Sequence, residues 1–449
     1  MVEFKSGVKT AIVKIHPLKT AALILALLLY TGIVKPVNPF VFRSLFDVHS
    51  LTAVEGFVAS NPVKTSSGRF YSMLFNTETV QSASGRAEAQ GRIKLLIPAE
   101  TVEALYPGKL FSLSRNAVPV EEGARLVCTG YVLKSSAPVF GSENEAVDEA
   151  TAASGFRHLQ QEKTPAFVAQ TTAFAGWKNG LSRLRALCRL YLKRMLYAWG
   201  EAGGLVLALM SGSREYTDTN LAAAFKNAGL AHILALSGMH LSLFISASSL
   251  ISLFAGKKLS ALLSVILICV FIWFAGATPS LVRAFLCITL MMLTRLLYVH
   301  TYKSAALDCL CGAFIIQTSI LHADIYNPAF MLSYAAVAGI LILTPLISPF
   351  LHRILPRFAV SSAAASLSAW IFTAPIGAFM FGQISPIGII ASVVVTPLAS
   401  VFFIAGFIFA VLCVLIPFLI SPLGAIMQVL YIILKYAVLF FGRFPPIVF

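Results

Sequence analysis

The stretch Asn227–Leu241, NAGLAHILALSGMHL, sets His232, Ser237 and His240 at the mouth of a long apolar run. Polar groups at such a depth are costly unless they meet water or a partner, so their presence asks for a purpose. His232 and His240 would lie about 12 Å apart along a helix rising 1.5 Å per residue, sharing a face but too distant to chelate one metal. They suit the wall of a polar conduit or hydrogen bonds between helices. Ser237, with His240, His232 or His322 as a base, would make an intramembrane serine hydrolase. No Asp or Asn can be assigned to orient that base, so no catalytic residue, cofactor or metal is expected.

Two further segments combine polar groups with apolar helix. Thr278–Phe285, TPSLVRAF, carries Arg283 inside the start of an apolar helix. Such an arginine either snorkels to the interface or points inward, where its planar fork of donors would suit a phosphate. Asn327–Ile340, NPAFMLSYAAVAGI, adds Ser333 and Tyr334 beside small residues whose spacing favours close helix packing. Upstream, Arg183, Arg185, Arg189, Lys193 and Arg194 alternate with leucines, which predicts a basic amphipathic helix over 181–196. Its cations would lie near lipid phosphates, or near those of DNA.

The elements that must position these residues belong to a membrane protein. Hydrophobic residues make up 58% and charged residues 12% of 449 positions, which excludes an ordinary soluble domain. The net charge of +15 suits short basic loops held on one side of a membrane, or attraction to a polyanion. Residues 1–35 read as a retained N-terminal anchor, with Lys5, Lys9, Lys14 and Lys19 preceding the apolar run from Thr20 to Val34. Over 48–135 the pattern changes to period two, predicting a small β domain of five strands near Thr52–Ala59, Arg69–Val80, Gly91–Pro98, Lys109–Leu113 and Arg125–Leu133. An OB-like barrel or a small sandwich would fit. Residues 136–180, with acidic GSENEAVDEATAA, read as a linker. Its single Cys128 predicts no disulfide in the β domain, and Cys309 and Cys311 read as apolar packing.

The region 197–449 should then hold most of about eight to ten transmembrane helices, giving a membrane all-α bundle with one inserted β domain. Expected spans are Ala231–Ala255, Leu259–Gly276, Leu281–Tyr298, Ala305–Leu321, Ala329–Phe350, Ser361–Phe381, Ile387–Ile416 and Leu423–Phe441. Ile387–Ile416 contains Pro397 and reads as broken or re-entrant. Lys257, Lys258, Arg295, Lys303, Arg353 and Arg357 mark every second connection as cytoplasmic. The intervening connections, near Thr278–Ser280 and Ala323–Asn327, carry no Lys or Arg and should face outside with the β domain.

GLAHILALSGMHL, SLVRAF and FMLSYAAVAG resemble, in order and spacing, the motifs of the ComEC-type competence channel family. TAPIGAFMFGQISPIGIIASVVVTPLAS resembles its later proline-containing segment. The resemblance covers about Leu205–Phe441 and implies passage of single-stranded transforming DNA across the cytoplasmic (inner) membrane, with an OB-like domain outside. It also implies a separate DNA receptor and a cytoplasmic helicase-like ATPase, since no GxxxxGK[ST] loop is present. At the position where the family usually shows asparagine, Ser392 stands. No HxHxDH motif of the family's metallo-β-lactamase-like domain precedes Phe449, so strand degradation is expected of a separate nuclease. A small-molecule transporter with a closed midplane pocket is the alternative, and oligomeric state is left open.

Overall fold

The computed structural model describes residues 17–31, 38–65, 67–105, 118–133, 164–234, 236, 238, 241, 265–297, 305–353 and 356–448. Alternating burial along the first half produces a closed barrel. Its strands are β1 (Leu51–Val58), β2 (Phe70–Ser82), β3 (Arg92–Pro98), β4 (Ala124–Val132) and β5 (Ala166–Trp177). They follow the order β2-β1-β4-β5-β3, and β3 returns to β2 to close the ring. Every neighbouring pair is antiparallel except β3 with β5. Tyr71, Phe75, Ile93, Leu95, Ile97, Leu126 and Phe167 fill the interior, and a short helix, Ala99–Glu103, seals it with Val102. Cys128 is a free thiol in this core, pushed up to about 12 by burial.

The fifth strand corrects the expected organisation. Lys109–Leu113 lies outside the described residues, and the ring is closed by 166–177, within the segment read as linker. In AFVAQTTAFAGW the alternation is carried by Phe167 and Ala169 among small and polar residues, too weak to announce a strand without its partners. Tight closure also needs glycine where the ladders slip. A Cβ on Gly130, at the register shift between β4 and β5, would stand 1.9 Å from the Val168 carbonyl oxygen.

The remainder is helical. α1 is Pro17–Tyr30, α2 Gly180–Tyr197, α3 Gly200–Ser211, α4 Thr219–Asn227, α5 Pro279–Leu297 and α6 Ala305–Ile320. They are followed by α7 (Pro328–Leu351), α8 (Arg357–Phe381), α9 (Gly388–Leu415) and α10 (Ile420–Gly442). Among the described residues, four helices in 328–442 are long and apolar enough to cross a membrane. Most of the expected span Ala231–Ala255 lies outside the described residues. α9 is one continuous helix through Pro397, not a broken element. Its 28 residues reach about 42 Å at 1.5 Å each, which is why the run looked long for one span. α3, α4, α9 and α10 share one core, and α1, α6 and α7 share a second. The small residues of α7 permit close packing: a Cβ on Gly339 would come within 2.4 Å of the Ser368 carbonyl oxygen on α8. Outward faces of α9 and α10 are rich in exposed Ile, Val and Phe, as lipid-facing helices require.

Barrel and bundle meet along α2, where the expected exposed cations turn inward. Lys193 and Arg189 are both 1% exposed. Lys193 Nζ pairs with Glu121, from the segment before β4, and with Glu215, from the segment after α3. Arg189 Nη2 donates to the Ser211 carbonyl at 2.7 Å, and its Nε lies 3.8 Å from Glu121 Oε2. Arg185 pairs with Glu122 at 3.1 Å, and Arg194 donates to the Leu105 carbonyl at 2.7 Å. Arg183 alone of the five is exposed. The outer stripe is instead apolar, with Leu181 and Leu184 exposed. Four of the five cations expected to meet phosphate are instead engaged by the protein, because carboxylates and carbonyls of both the barrel side and the end of α3 with the segment after it face this side of the helix.

Burial by itself would raise the Glu121 carboxyl, but Lys193 and Arg189 outweigh it and hold the carboxyl below its ordinary value. A depressed carboxylate contributes stability above its unfolded pKa, about 4.3, and loses it as pH falls through the folded value. Thermal unfolding should therefore shift downward only as pH falls below about 4, and Glu121→Gln should flatten that dependence. Lys193→Ala, which strands two buried carboxylates, should cost about 3–5 kcal/mol of stability in the same measurement. A fragment ending at residue 135 lacks β5 and should show no cooperative transition by circular dichroism, whereas one spanning 38–178 should fold.

Candidate functional site

Arg283 marks the place where the polar segments of the bundle converge. Pro279 starts α5 with its φ already suited to a helix, so Arg283 falls one turn inside. It is 7% exposed. Nη1 donates to the Ser333 carbonyl of α7 at 3.0 Å, and Nε has no hydrogen-bond partner among the described residues. No carboxylate pairs with it among those residues. Gly238 approaches from the first motif, since a Cβ there would stand 3.3 Å from Arg283 Nη2. Leu236 and Leu241 flank that contact and pack against Leu281 and Ala284 of α5. A side chain at position 238 would crowd the guanidinium, so glycine there lets the backbone pass close to a charge.

A hydrogen-bonded set lies beside it. Tyr334 donates to Gln317 Oε1 at 2.9 Å. Gln317 Nε2 donates to Asp324 Oδ2 at 2.7 Å and to the Pro279 carbonyl at 3.2 Å. The Tyr334 ring is braced by Phe314 and Phe330, with centroids 5.3 and 4.8 Å away. Gln317 thus ties the start of α5 to α7 and to the turn His322–Tyr326. Sequence reasoning missed Gln317 and Asp324. The available signal was an amide inside the apolar helix α6, a group that needs a partner at membrane depth.

The expected residues divide accordingly. Arg283, Ser333 and Tyr334 come together, Ser333 through its backbone carbonyl. His232 stands on the short helix Ala231–Leu234, whose Ile233 and Leu234 belong to the α3, α4, α9 and α10 core. Ser237 and His240 lie outside the described residues. Ser392 donates to the Gly388 carbonyl at 2.6 Å on α9. Gly388 in turn packs on Ala228 and Gly229, placing Ser392 near the start of the first motif, with no contact to Arg283 among the described residues. Arg185, Arg189, Lys193 and Arg194 of the basic stretch stand at the barrel joint, and Arg183 is exposed on the same helix, all outside this site.

Both Lys/Arg-free connections lie at one end of the bundle, joined by the Gln317 bond to Pro279. The barrel occupies the same end: a Cβ on Gly276 would lie 3.4 Å from Glu122 Oε2. Lys19 of α1 pairs with Asp308 in the first turn of α6 at 3.4 Å.

The family model described as Competence protein matches residues 209–447. ComE operon protein 3 of Bacillus subtilis (strain 168) is 26% identical over 214 residues, a stretch that is 47% of this chain and 26% of that relative. The matched part is thus about a quarter of the relative's own length. No solved structure matches the chain. With the family model covering more than half of its residues and the three motifs converging on Arg283, the chain belongs to the ComEC-type competence protein family.

Proposed function

We propose that the protein is an integral inner-membrane channel that passes single-stranded DNA inward during natural competence. The observation that carries this reading is the buried Arg283, a cation held inside an apolar bundle by a carbonyl, with no carboxylate paired to it among the described residues. A charge kept at that cost is normally functional. Its unpartnered Nε–H suits a phosphate oxygen of a strand, which would bind in passing because no second cation among the described residues clamps it. The bundle acts by passage, not by chemistry, and work is supplied by a cytoplasmic helicase-like ATPase. A separate receptor delivers DNA.

The barrel supports an OB-like assignment through its strand order, its parallel closing pair and the helix between its third and fourth strands. It stands outside in this reading. The Lys/Arg-free connections share its end of the bundle, while the basic connections predict the cytoplasmic end.

Deletion of the gene should abolish entry of labelled DNA into competent cells, with restoration by the wild-type chain. Unchanged entry after deletion would reject the role. Arg283→Ala should lower entry by about tenfold or more while the protein still accumulates in the membrane, and Arg283→Lys should restore part of it, since lysine keeps the charge but loses the fork.

A further inference from the structure

Between the barrel and the bundle lies an open-sided groove of about 320 Å³. That volume is at the lower end of small-ligand pockets, about 300–1,000 Å³, and gives room for about one nucleotide. Its walls come from three sources. Phe57 and Arg92 stand on β1 and β3, Lys178 just before α2, Arg185 within it, and Trp273 on the short apolar helix Val265–Ala275. The barrel's overall charge is nearly balanced, but here three cations face one carboxylate, Glu122, already paired with Arg185 at 3.1 Å. Lys178 is exposed and makes no ion pair among the described residues; its Nζ lies 6.0 Å from the Phe57 ring centroid. Arg92 is held in place by Asn76, to which its Nε donates at 2.8 Å, and by Phe40, whose ring centroid lies 3.6 Å from its guanidinium carbon.

We infer that this groove is a single-strand nucleic-acid site at the joint, seating a phosphate between Arg92 and Lys178 and a base against Trp273 or Phe57. Aromatic faces bind bases without regard to sequence, and flanking cations hold the backbone, the combination that single strands need. Position adds a reason. Glu122 abuts the turn at Gly276, and α5 with Arg283 begins three residues later, so a strand leaving the groove is directed at the motif cluster. The inference rests on the DNA-passage reading and names where that strand is first held against the bundle.

The full-length protein in lipid nanodiscs should bind a fluorescein-labelled oligothymidylate in anisotropy titrations, with affinity falling as KCl rises. Lys178→Gln should reduce the slope of log K against log[KCl] by about 0.7, the value for one phosphate contact on a single strand. The pair Arg92→Gln and Lys178→Gln should weaken binding about tenfold. Trp273→Ala should weaken it with the slope unchanged, the mark of a lost stacking face. Because Arg92 also braces the barrel, Lys178→Gln and Trp273→Ala carry the decision if the double variant does not fold. Wild-type binding that none of these variants changes would overturn the groove and leave the uptake reading standing. Absence of salt-sensitive wild-type binding would overturn it as well, as would complete displacement by inorganic phosphate at the oligonucleotide's own concentration. Normal DNA entry after gene deletion would instead remove the uptake reading.

Discussion

Taking a charge out of water costs several kcal/mol unless the protein supplies partners, and this chain does so differently in two places. At the barrel joint, Arg189 and Lys193 meet Glu121 and Glu215, so opposite charges balance in a buried cluster drawn from three parts of the chain. Inside the bundle, Arg283 receives a carbonyl and the close backbone of Gly238, with no counter-charge among the described residues. Balanced burial fixes a geometry, because no partner can leave without stranding the others. Unbalanced burial keeps an attraction for an anion available.

The first cluster determines where the barrel can stand. Lys193 reaches a barrel carboxylate and a bundle carboxylate together, so rotation of the barrel would break at least one pair. The close fit of Gly123 against Ser182, 2.7 Å from a Cβ added there, further restricts the approach of β4 to α2. The groove beside it is lined by Gly123 and Ser182 from this same contact, and Glu122 in its wall reaches the turn at Gly276. In the bundle, Gln317 does comparable work with neutral groups, linking α5, α7 and the turn His322–Tyr326 around Arg283.

Local patterns made some of this legible and hid the rest. Period-two alternation located β1 to β4 within two residues at each end, since each carries enough large apolar residues to show a face. β5 was hidden because its inward positions are mostly small and its pairing partners lie far away in sequence. The basic stretch was rightly a helix, Gly180–Tyr197, yet its polarity was read backwards. Periodicity shows that a helix has two faces and not which one the protein covers, and here carboxylates elsewhere in the chain decided it. The structure brings the motif residues Arg283, Ser333 and Tyr334 together, while Gln317 and Asp324 were passed over because their meaning depends on a contact between α6, α7 and the following turn.

The central claim is that DNA passes Arg283 inside the bundle. A photoreactive amino acid placed at Ser333, whose carbonyl holds the guanidinium, would report this during uptake of labelled DNA by living cells. The account predicts a covalent protein–DNA adduct formed only while uptake is under way. Continued DNA entry with no adduct from position 333, but adducts from the barrel groove, would contradict a path through this site.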